Sequence, residues 1–524
     1  SPLQNPLMRK ILTAAILFSC ISQAWTLTVS VYHTSDVHGW YSSRPARWDK
    51  ENSTRAIGGF PALSALVKKG KNPYILLDSG DMFQGTPEGN FTKGMATVAL
   101  MNKLGYSAAV VGNHDYDYGE ESLKAMISSA SFVMLGANVY RKEDGRRASY
   151  LEPYTIIKKA GKKIAVLGIA GRHTATSTLP ANVKHLTFRD EEAEAAKWTA
   201  EIRRQKPDAI IILAHIGIGG DTAGRKTDVS TWTFTAQESA QGTIGIARAA
   251  GSAQAVMGGH NHAGLSGGWY DKESSTLILE SFWGLTDVTR LDLEFDDATG
   301  AFTGAKAELV PLWADKTGED EDIKNLIRGF TREVDKEMEV VISESAFDLE
   351  KSTSGLDSDI GNWFTDAMRR QAGADAAFQN TAGIRSELRK GPVTLRDIYQ
   401  VMPFENTLVK LTMTGWQIKR LLIDNLSGGS SRLQVSGLKI SFKSPAKAPG
   451  NMIIEKDGRT VKDGDKLTVA TNNYLTTGGT GGKVFSEAEN SEDTMLTIRD
   501  LLLNDIKTNP IKSAPERGRI IRLE

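Results

Sequence analysis

Residues 107–117 read "SAAVVGNHDYD", an apolar run followed at once by polar side chains. The run from Ala108 to Val111 predicts a buried strand. Five other stretches follow the same scheme, in which a strand ends in Gly, Asp, Asn or His: "TLTVSVYHTSD" (26–36), "PYILLDSGD" (73–81), "KKIAVLGIAG" (162–171), "DAIIILAHIG" (208–217) and "AQAVMGGHNH" (253–262). The stretches between them read as helices, so the sequence predicts βαβ units, whose sites form at the carboxyl ends of the strands.

The candidate site residues share these strand ends. They are Asp36, His38, Asp81, Asn113, His114, His215, His260 and His262. A single histidine after a strand would be explained as a capping or core residue, but five of the chain's eight histidines fall in these clusters. Imidazole mixed with carboxylate suits zinc, manganese or iron, whereas calcium prefers oxygen ligands and structural zinc prefers cysteine. The pattern therefore predicts a metal centre.

The length of 524 residues predicts at least two domains. Lys plus Arg and Asp plus Glu both number 63, so nothing in the charge suggests a nucleic acid polymer or an anionic membrane as partner. Strands and helices alternate over residues 25–318, which we interpret as a catalytic domain. Residues 319–344 have the amphipathic pattern of a connecting helix, and residues 345–524 predict a second α/β domain.

The N-terminal segment, residues 8–24, has the pattern of a secretory signal peptide. A basic start precedes an apolar run that is too short for a spanning helix, and small residues end it. Residues 1–7 read as an expression scar or a misassigned start. Cys20 is the only cysteine, and "LFSC" fits a lipoprotein box poorly because of Phe18, so we expect no lipid anchor. These features predict a periplasmic or secreted protein without disulfides and without a membrane span.

The ordered motifs D-x-H, G-D, G-N-H-D, H and G-H-x-H resemble the signature of the calcineurin-like metallophosphoesterases. Together with the second domain, the chain is similar to bacterial periplasmic 5′-nucleotidases and UDP-sugar hydrolases. The resemblance implies a four-layer α/β/β/α metallophosphoesterase domain, joined by a linker helix to a C-terminal α/β substrate-binding domain. It also implies two divalent metal ions, with Mn, Zn, Fe, Co and Mg as the candidates, which would clamp a phosphoryl group and activate the attacking water.

The resemblance assigns a role to each residue of the motifs. It implies that Asp36, His38 and His262 hold one ion and that Asp81 bridges to the other. Ligands of the second ion would be Asn113, His215 and His260. Many relatives have Gln where this chain has His262. His114 with Asp117 matches the family's catalytic pair, in which the histidine stabilises charge on the phosphoryl oxygens or the leaving group. We expect no active-site role for His33, His173 or His185.

Three loops of the second domain resemble the family's nucleotide pocket. "NTAGIRSEL" (380–388) implies that Arg385 contacts phosphate or ribose and that Asn380 helps with the base; "MPFENTL" (402–408) implies Phe404 on one face of the base and Asn406 at its edge; "NNYLTTGGTGG" (472–482) implies Tyr474 on the other face. Two positions depart from the family. Asp359 stands near a position where relatives carry arginine, and Thr480 stands where they commonly carry a ribose-binding aspartate.

These features predict a secreted 5′-nucleotidase, a monomer that hydrolyses nucleoside monophosphates to nucleoside and phosphate. Two other activities use the same metal site: a 2′,3′-cyclic nucleotide phosphodiesterase with 3′-nucleotidase activity, and a nucleotide-sugar pyrophosphatase. A sulfur-oxidation thiohydrolase also has this metal site, but the pair of aromatic residues argues against it. From a different class, the chain would be a nucleoside- or nucleotide-binding protein without activity, against which the complete ligand set and the His114–Asp117 pair argue.

Overall fold

The protein is described by a computed structural model that covers residues 26–426, 429–443 and 451–523. The predicted leader (residues 1–7 and 8–24, with Cys20) lies outside the described residues.

The first domain contains two six-stranded mixed sheets with a parallel centre. In spatial order the strands of the first sheet are Phe302–Pro311, Asp287–Asp296, Thr26–Thr34, Tyr74–Asp78, Ala108–Val110 and Val133–Leu135. Those of the second sheet are Trp269–Asp271, Thr276–Glu280, Ala255–Gly258, Ala209–Ala214, Lys162–Ile169 and Tyr154–Lys159. The strand "AIIILA" (209–214) is buried along its whole length, as expected of a strand covered on both faces.

The two sheets face each other across one apolar layer. Val31 and Leu77 of the first sheet belong to the same buried cluster as Val166 and Ile211 of the second. Helices cover the outer faces: Phe60–Lys69, Met95–Leu104 and Glu120–Ser129 on the first sheet, Glu191–Arg204 and Gly242–Ala250 on the second. The result is the four-layer α/β/β/α arrangement that the resemblance implied.

Parallel strands that run side by side end at the same edge of a sheet. The strands ending at Thr34, Asp78 and Val110 are neighbours in the first sheet, and those ending at Ala214 and Gly258 are neighbours in the second. The polar residues that follow these five strands are therefore gathered at one end of the sandwich, which is where open α/β sheets place their sites.

The connecting helix runs from Glu321 to Met338 and is shorter than the predicted 319–344. Asp320 caps it through its side chain, and the buried residues recur every three or four positions: Ile323, Ile327, Thr331, Val334 and Met338. The helix ends before Glu339 because the chain turns into a strand, Val341–Ser345, which pairs with Gly391–Thr394.

The second domain is also α/β. Its five-stranded sheet has the order Leu433–Ser436, Ala376–Asn380, Lys466–Asn472, Thr407–Thr414 and Glu489–Thr497. A four-stranded sheet has the order Arg459–Thr460, Met452–Lys456, Lys439–Lys443 and Ile520–Leu523. The main helices are Asp359–Ala372, Leu395–Val401, Gly415–Asn425 and Ile498–Thr508.

Shorter elements complete the chain. Two-stranded ladders pair Arg44–Pro45 with Ala56–Ile57, Val139–Arg141 with Leu186–Phe188, and Lys226–Thr227 with Gly264–Leu265. Single-turn helices are Pro87–Phe91, Thr174–Ser177, Pro180–Val183, Ala236–Ser239, Ala314–Thr317 and Asn473–Thr476. Within the described ranges, every helix is too short or too polar to cross a membrane.

Candidate metal centre and substrate cleft

Five of the predicted ligands have a backbone conformation that side chains rarely adopt. Their φ angles are positive: 52° for Asp36, 50° for His38, 58° for Asp81, 73° for His260 and 58° for His262. Such residues persist only where the surrounding structure holds them, and they concentrate at functional sites. The strand-end loops are therefore built to aim these five side chains.

Asp36, His38 and His262 form the first donor group, whose ligand atoms all lie within 4.8 Å of one another. The ring of His38 is oriented by the carbonyl of Gln84, which lies 2.7 Å from Nδ1. This contact leaves Nε2 to face the other donors, and it lies 3.0 Å from Nε2 of His262. Such an outer hydrogen bond is what fixes the tautomer of a metal-binding histidine. Burial lowers the pKa of His38 to about 3, which keeps its lone pair free.

Asn113, His215 and His260 form the second donor group around a shared amide oxygen. Oδ1 of Asn113 lies 3.0 Å from Nε2 of His215 and 2.9 Å from Nδ1 of His260. The amide is oriented because its Nδ2 donates to the carbonyl of Ser177 at 2.9 Å. His215 is held through Nδ1, which lies 2.6 Å from the carbonyl of Ser79. Two imidazoles and an amide oxygen thus converge on one point.

Asp81 lies between the two groups. Its Oδ2 is 3.2 Å from Nε2 of His215 and 3.9 Å from Nε2 of His38. Its Oδ1 accepts the backbone N–H of His114 at 2.8 Å. Burial lowers the pKa of His215, but the Asp81 carboxylate outweighs it and raises that pKa above its ordinary value. The Asp81 carboxylate therefore faces both donor sets.

His114 and Asp117 form a hydrogen-bonded pair beside these donors. Nδ1 of His114 lies 2.8 Å from Oδ2 of Asp117, and the hydroxyl of Thr178 donates to the other oxygen at 2.7 Å. Burial lowers the pKa of His114, but the carboxylates of Asp117 and Asp81 outweigh it and raise that pKa. The imidazole is thus oriented, and the same carboxylates favour its charged form.

Two residues near the donors had no role in the sequence analysis. Asp115 is buried and accepts three backbone N–H groups, from Gly112 at 2.8 Å, Asp81 at 3.0 Å and Met82 at 3.0 Å. It ties the loop of His114 to the loop of Asp81. The signal was in "GNHDYD", since aspartate side chains in turns accept hydrogen bonds from nearby backbone N–H groups. The other is His173, whose ring stacks on that of His260 with 3.6 Å between centroids.

Gly112 is required by close approach. A Cβ at this position would collide with the carboxylate and the backbone N of Asp81. Its φ does not lie in the left-handed region, so space and not backbone freedom explains this glycine.

The second domain reaches the donor cluster through Arg385 and Phe404. Nη2 of Arg385 lies 3.2 Å from Nε2 of His38, and the ring of Phe404 lies over that of His114, with 5.4 Å between centroids. Arg385 also lies 5.8 Å from the Phe404 ring. Arg385 and Phe404 of the second domain therefore both contact residues that the sequence predicted to be in the active site.

Tyr474 contacts a different part of the first domain. Its hydroxyl donates to the carbonyl of Thr176 at 2.5 Å, and Thr480 donates to the same carbonyl through its N–H at 3.1 Å. Among the described residues no ring contact joins Tyr474 to Phe404. Thr480, which departs from the family pattern, thus forms an interdomain contact with a backbone carbonyl.

The other predicted pocket residues are bound within their own domain. Asn406 donates to Oδ1 of Asn473 at 3.0 Å, and Oδ1 of Asn380 accepts from Asn472 at 2.9 Å. Asp359 is engaged by the guanidinium of Arg517, with 2.6 Å between Nε and Oδ1. The departure at Asp359 therefore creates an ion pair inside the second domain.

His33 and His185 make hydrogen bonds with residues outside the predicted ligand set. Nδ1 of His33 lies 2.5 Å from the hydroxyl of Ser281 and Nε2 lies 2.7 Å from that of Ser79, and burial lowers the pKa of the ring to about 3. His185 is exposed and pairs with Glu120 at 2.7 Å. Ser79 also holds His215 through its carbonyl, so His33 braces the donor cluster from behind, whereas His185 lies at the surface.

The donor chemistry fits divalent metal ions. The first and second groups combine imidazole, carboxylate and amide oxygen, and the backbone contacts at Nδ1 of His38 and His215 leave Nε2 of each ring facing the other donors. A buried cluster of acceptor atoms only about 3–4 Å apart is favourable when a cation lies among them. Together the layered fold and this donor cluster define an α/β protein with a candidate divalent-metal centre.

Comparison with known families makes the class specific. The family "Calcineurin-like phosphoesterase" matches residues 29–264, and "5′-nucleotidase, C-terminal domain" matches residues 339–487. The first domain is thus similar to the calcineurin-like phosphoesterases, and the second is similar to the C-terminal domain of 5′-nucleotidases.

Individual relatives agree with this assignment. The trifunctional nucleotide phosphoesterase protein YfkN of Bacillus subtilis is 28% identical over 551 residues, which cover 95% of this chain and 35% of that protein. A 5′-nucleotidase of Vibrio cholerae is 27% identical, with coverage of 79% and 80%. The crystal structure of a 5′-nucleotidase precursor from Thermus thermophilus superimposes with a TM-score of 0.81 at 27% identity, covering 95% and 100%. The chain thus spans about a third of the Bacillus relative's length.

Proposed function

We propose that this chain is an exported dimetal phosphohydrolase that acts on nucleotides, most simply a 5′-nucleotidase that releases phosphate from nucleoside monophosphates. The observation that carries the proposal is the position of Asp81. Its two oxygens contact His215 and the loop of His114, and it also faces His38. A shared carboxylate between two donor sets, with a His–Asp pair beside it, suits attack on a phosphoryl group.

In this proposal Asp36, His38 and His262 hold one ion, Asn113, His215 and His260 hold the other, and Asp81 bridges them. Two ions at these positions would polarise the phosphoryl oxygens and activate the attacking water. The donors available accept Mn, Zn, Fe or Co, and the predominance of imidazole disfavours Mg.

His114 would stabilise the phosphoryl group or the leaving oxygen. Asp117 orients the ring through Nδ1, so Nε2 is left to donate a hydrogen bond into the cleft. A positioned imidazolium of this kind typically contributes 10²–10⁴-fold to the rate. Thr178 donates to the second oxygen of Asp117 and so keeps the Asp117 carboxylate oriented toward His114.

The second domain would bind the nucleoside. Arg385 is placed to meet the negative charge of a phosphate as it enters the cleft, since its guanidinium already lies beside His38. Phe404 and Tyr474 would contact the base, and Asn380 and Asn406 would hold the loops that carry these contacts. Each base-to-ring stack would contribute roughly 1–3 kcal/mol by analogy with base stacking elsewhere.

A second candidate is hydrolysis of 2′,3′-cyclic nucleotides or nucleotide sugars. Two observations favour keeping it: the Bacillus relative is named a trifunctional nucleotide phosphoesterase, and Thr480 replaces an expected ribose-binding acid with an interdomain contact. The metal centre would serve either substrate class, because only the pocket differs.

Phosphate release from a substrate panel tests these candidates. AMP, UMP, 3′-AMP, 2′,3′-cyclic AMP, UDP-glucose and NAD are compared at equal concentration with the metal-loaded protein, with an added phosphomonoesterase where the product is a nucleotide. Preference for AMP or UMP supports the 5′-nucleotidase, and preference for the cyclic or sugar nucleotide supports the second candidate. Binding of nucleotides without any metal-dependent hydrolysis would support an inactive binding protein.

Export and monomeric state are part of the proposal. The leader pattern at residues 8–24 supports processing to a periplasmic or secreted protein. N-terminal sequencing of the protein recovered from the periplasm or medium should find a start near residue 25. Light scattering coupled to size exclusion should give a mass close to that of one chain.

A further inference from the structure

The ring of His173 lies against the second donor group. Its centroid is 3.6 Å from that of His260, with 25° between the ring planes, and 6.0 Å from that of His215. The ligand atoms of the three histidines all lie within 4.8 Å of one another. His173 therefore places a third imidazole beside the second donor group.

One nitrogen of His173 is left without a partner. Nε2 is buried and makes no hydrogen bond with any described residue. A buried polar atom without a partner costs about 1–3 kcal/mol, so we expect this nitrogen to bind a group that is not protein. A cation held by His215 and His260 would satisfy it once the His173 ring turns out of its stack on His260.

The chain makes room for this ring. A Cβ at Gly171 would overlap the ring of His173, so the histidine fits only because residue 171 has no side chain. The segment that follows is fixed at two points: the carbonyl of Ser177 accepts from Asn113 at 2.9 Å, and the hydroxyl of Thr178 donates to Asp117 at 2.7 Å. The ring is thus carried by a braced loop.

We propose that His173 is a further nitrogen donor of the second metal position and makes that position selective for zinc over manganese. Adding an imidazole to His215, His260 and the Asn113 amide gives a nitrogen-rich set. Such sets favour zinc, whereas oxygen-rich sets suit manganese and magnesium. This inference rests on the metal centre of the proposed function, to which it adds a ligand and a metal preference.

Two substitutions distinguish the contribution of the His173 nitrogens from that of its aromatic ring. His173→Phe keeps an aromatic ring against His260 and removes both nitrogens. His173→Gln removes the ring and offers an amide in its place. His185→Ala is the matched control, because His185 is exposed and pairs with Glu120. Dissociation constants of Zn²⁺ and Mn²⁺ are measured on the metal-free proteins by competition with a chelator, and Co²⁺ absorption reports the donor set.

We expect His173→Phe to weaken zinc binding about 10–100-fold, the usual effect of losing a group that supports a metal site. Manganese binding should change much less, so the preference for zinc should fall. His173→Gln should also shift the preference toward manganese, and the Co²⁺ visible bands should move in both variants. His185→Ala should match the wild type in every measurement.

If His173→Phe binds zinc as tightly as the wild type and with the same preference over manganese, the inference is overturned, because an aromatic ring without nitrogens would then be enough for zinc binding. If the Phe variant does not fold, as judged by thermal unfolding of the metal-free protein, the Gln variant decides: an unchanged zinc-to-manganese ratio overturns the inference. Failure of the wild-type protein to bind any divalent ion would instead overturn the proposed metal centre itself.

Discussion

The Nδ1 atom of His114 lies 2.8 Å from Oδ2 of Asp117, and the backbone N–H of the same histidine donates to Asp81 at 2.8 Å. One residue is thereby tied to the proposed bridging carboxylate by its backbone and to an orienting carboxylate by its side chain. Any movement of Asp81 would move the imidazole with it. The backbone and side-chain contacts of His114 therefore connect the proposed metal centre to the proposed catalytic histidine.

His114→Ala should lower turnover about 10²–10⁴-fold, because the oriented imidazole no longer stabilises charge in the transition state. Metal content should stay at the wild-type level, since the proposed ligands of both ions remain. Phosphate release and elemental analysis are measured on the same samples, with His185→Ala as the control. A parallel loss of metal would mean that His114 is a ligand.

Asp115→Ala should destabilise the first domain by at least about 3 kcal/mol. It leaves the buried N–H groups of Gly112, Asp81 and Met82 without an acceptor, and each unpaired donor costs about 1–3 kcal/mol. Denaturant unfolding measures the loss. Asp228→Ala, at an exposed aspartate that caps Ser230, should change stability little. Equal effects of the two substitutions would contradict the brace assigned to Asp115.

Arg396→Ala should weaken the contact between the domains. Arg396, in the second domain, donates to Glu88 of the first domain and, at 2.7 Å each, to Asp335 and Glu339 of the connecting helix segment. We expect a loss of about 1–3 kcal/mol of stability and a raised KM, because Glu88 would be left half-buried and unpaired. Arg389→Ala is the control, since its partners Glu350 and Glu387 lie in its own domain.

Domain closure about the connecting helix is the hypothesis behind the last prediction. A cross-link engineered between the domains should reduce turnover if closure and opening accompany each cycle. Unchanged turnover in the cross-linked protein would exclude such a motion as a step of the reaction.

Asp320→Ala should destabilise the start of the connecting helix in a pH-dependent way. Burial raises the pKa of Asp320, but hydrogen bonds from Lys68 and Ser64 outweigh it and lower that pKa to about 2. Because the folded pKa is depressed, the charge stabilises the protein above about pH 4 and this part is lost as pH falls toward 2. Loss of the cap should cost about 0.5–2 kcal/mol at pH 7. Urea unfolding at pH 7 and pH 3 should show the difference between wild type and variant shrinking; a constant difference would contradict the assignment.

Much of the fold followed from the sequence because strand-end residues obey a simple rule. Apolar runs ending in Gly, Asp, Asn or His mark parallel strands, and parallel strands end together, so the donors of Asp36, Asp81 and His215 had to be near each other. The predicted end of the connecting helix lies beyond the observed one, because the helical pattern of apolar and charged residues continues past Met338. The helix ends there because Val341 pairs with Thr394, a long-range contact that the local sequence does not contain.

Other features depended on contacts that no local pattern contains. The stacking of His173 on His260 joins loops 87 residues apart in the chain, counted from 173 to 260. The ring of Phe404 over His114 and the bond from Tyr474 to Thr176 join the two domains. In each case the sequence supplies the residue type but not the partner, because the partner is set by how loops from different elements meet.

Metal-dependent release of phosphate from AMP tests the central claim most directly. The protein is stripped with a chelator, the chelator is removed, and Mn²⁺ or Zn²⁺ is returned in steps while phosphate is measured. The account predicts no release without metal and a rise that saturates near two ions per chain. Release that is unaffected by the chelator, or no release with any divalent ion and any nucleotide of the panel, would contradict it.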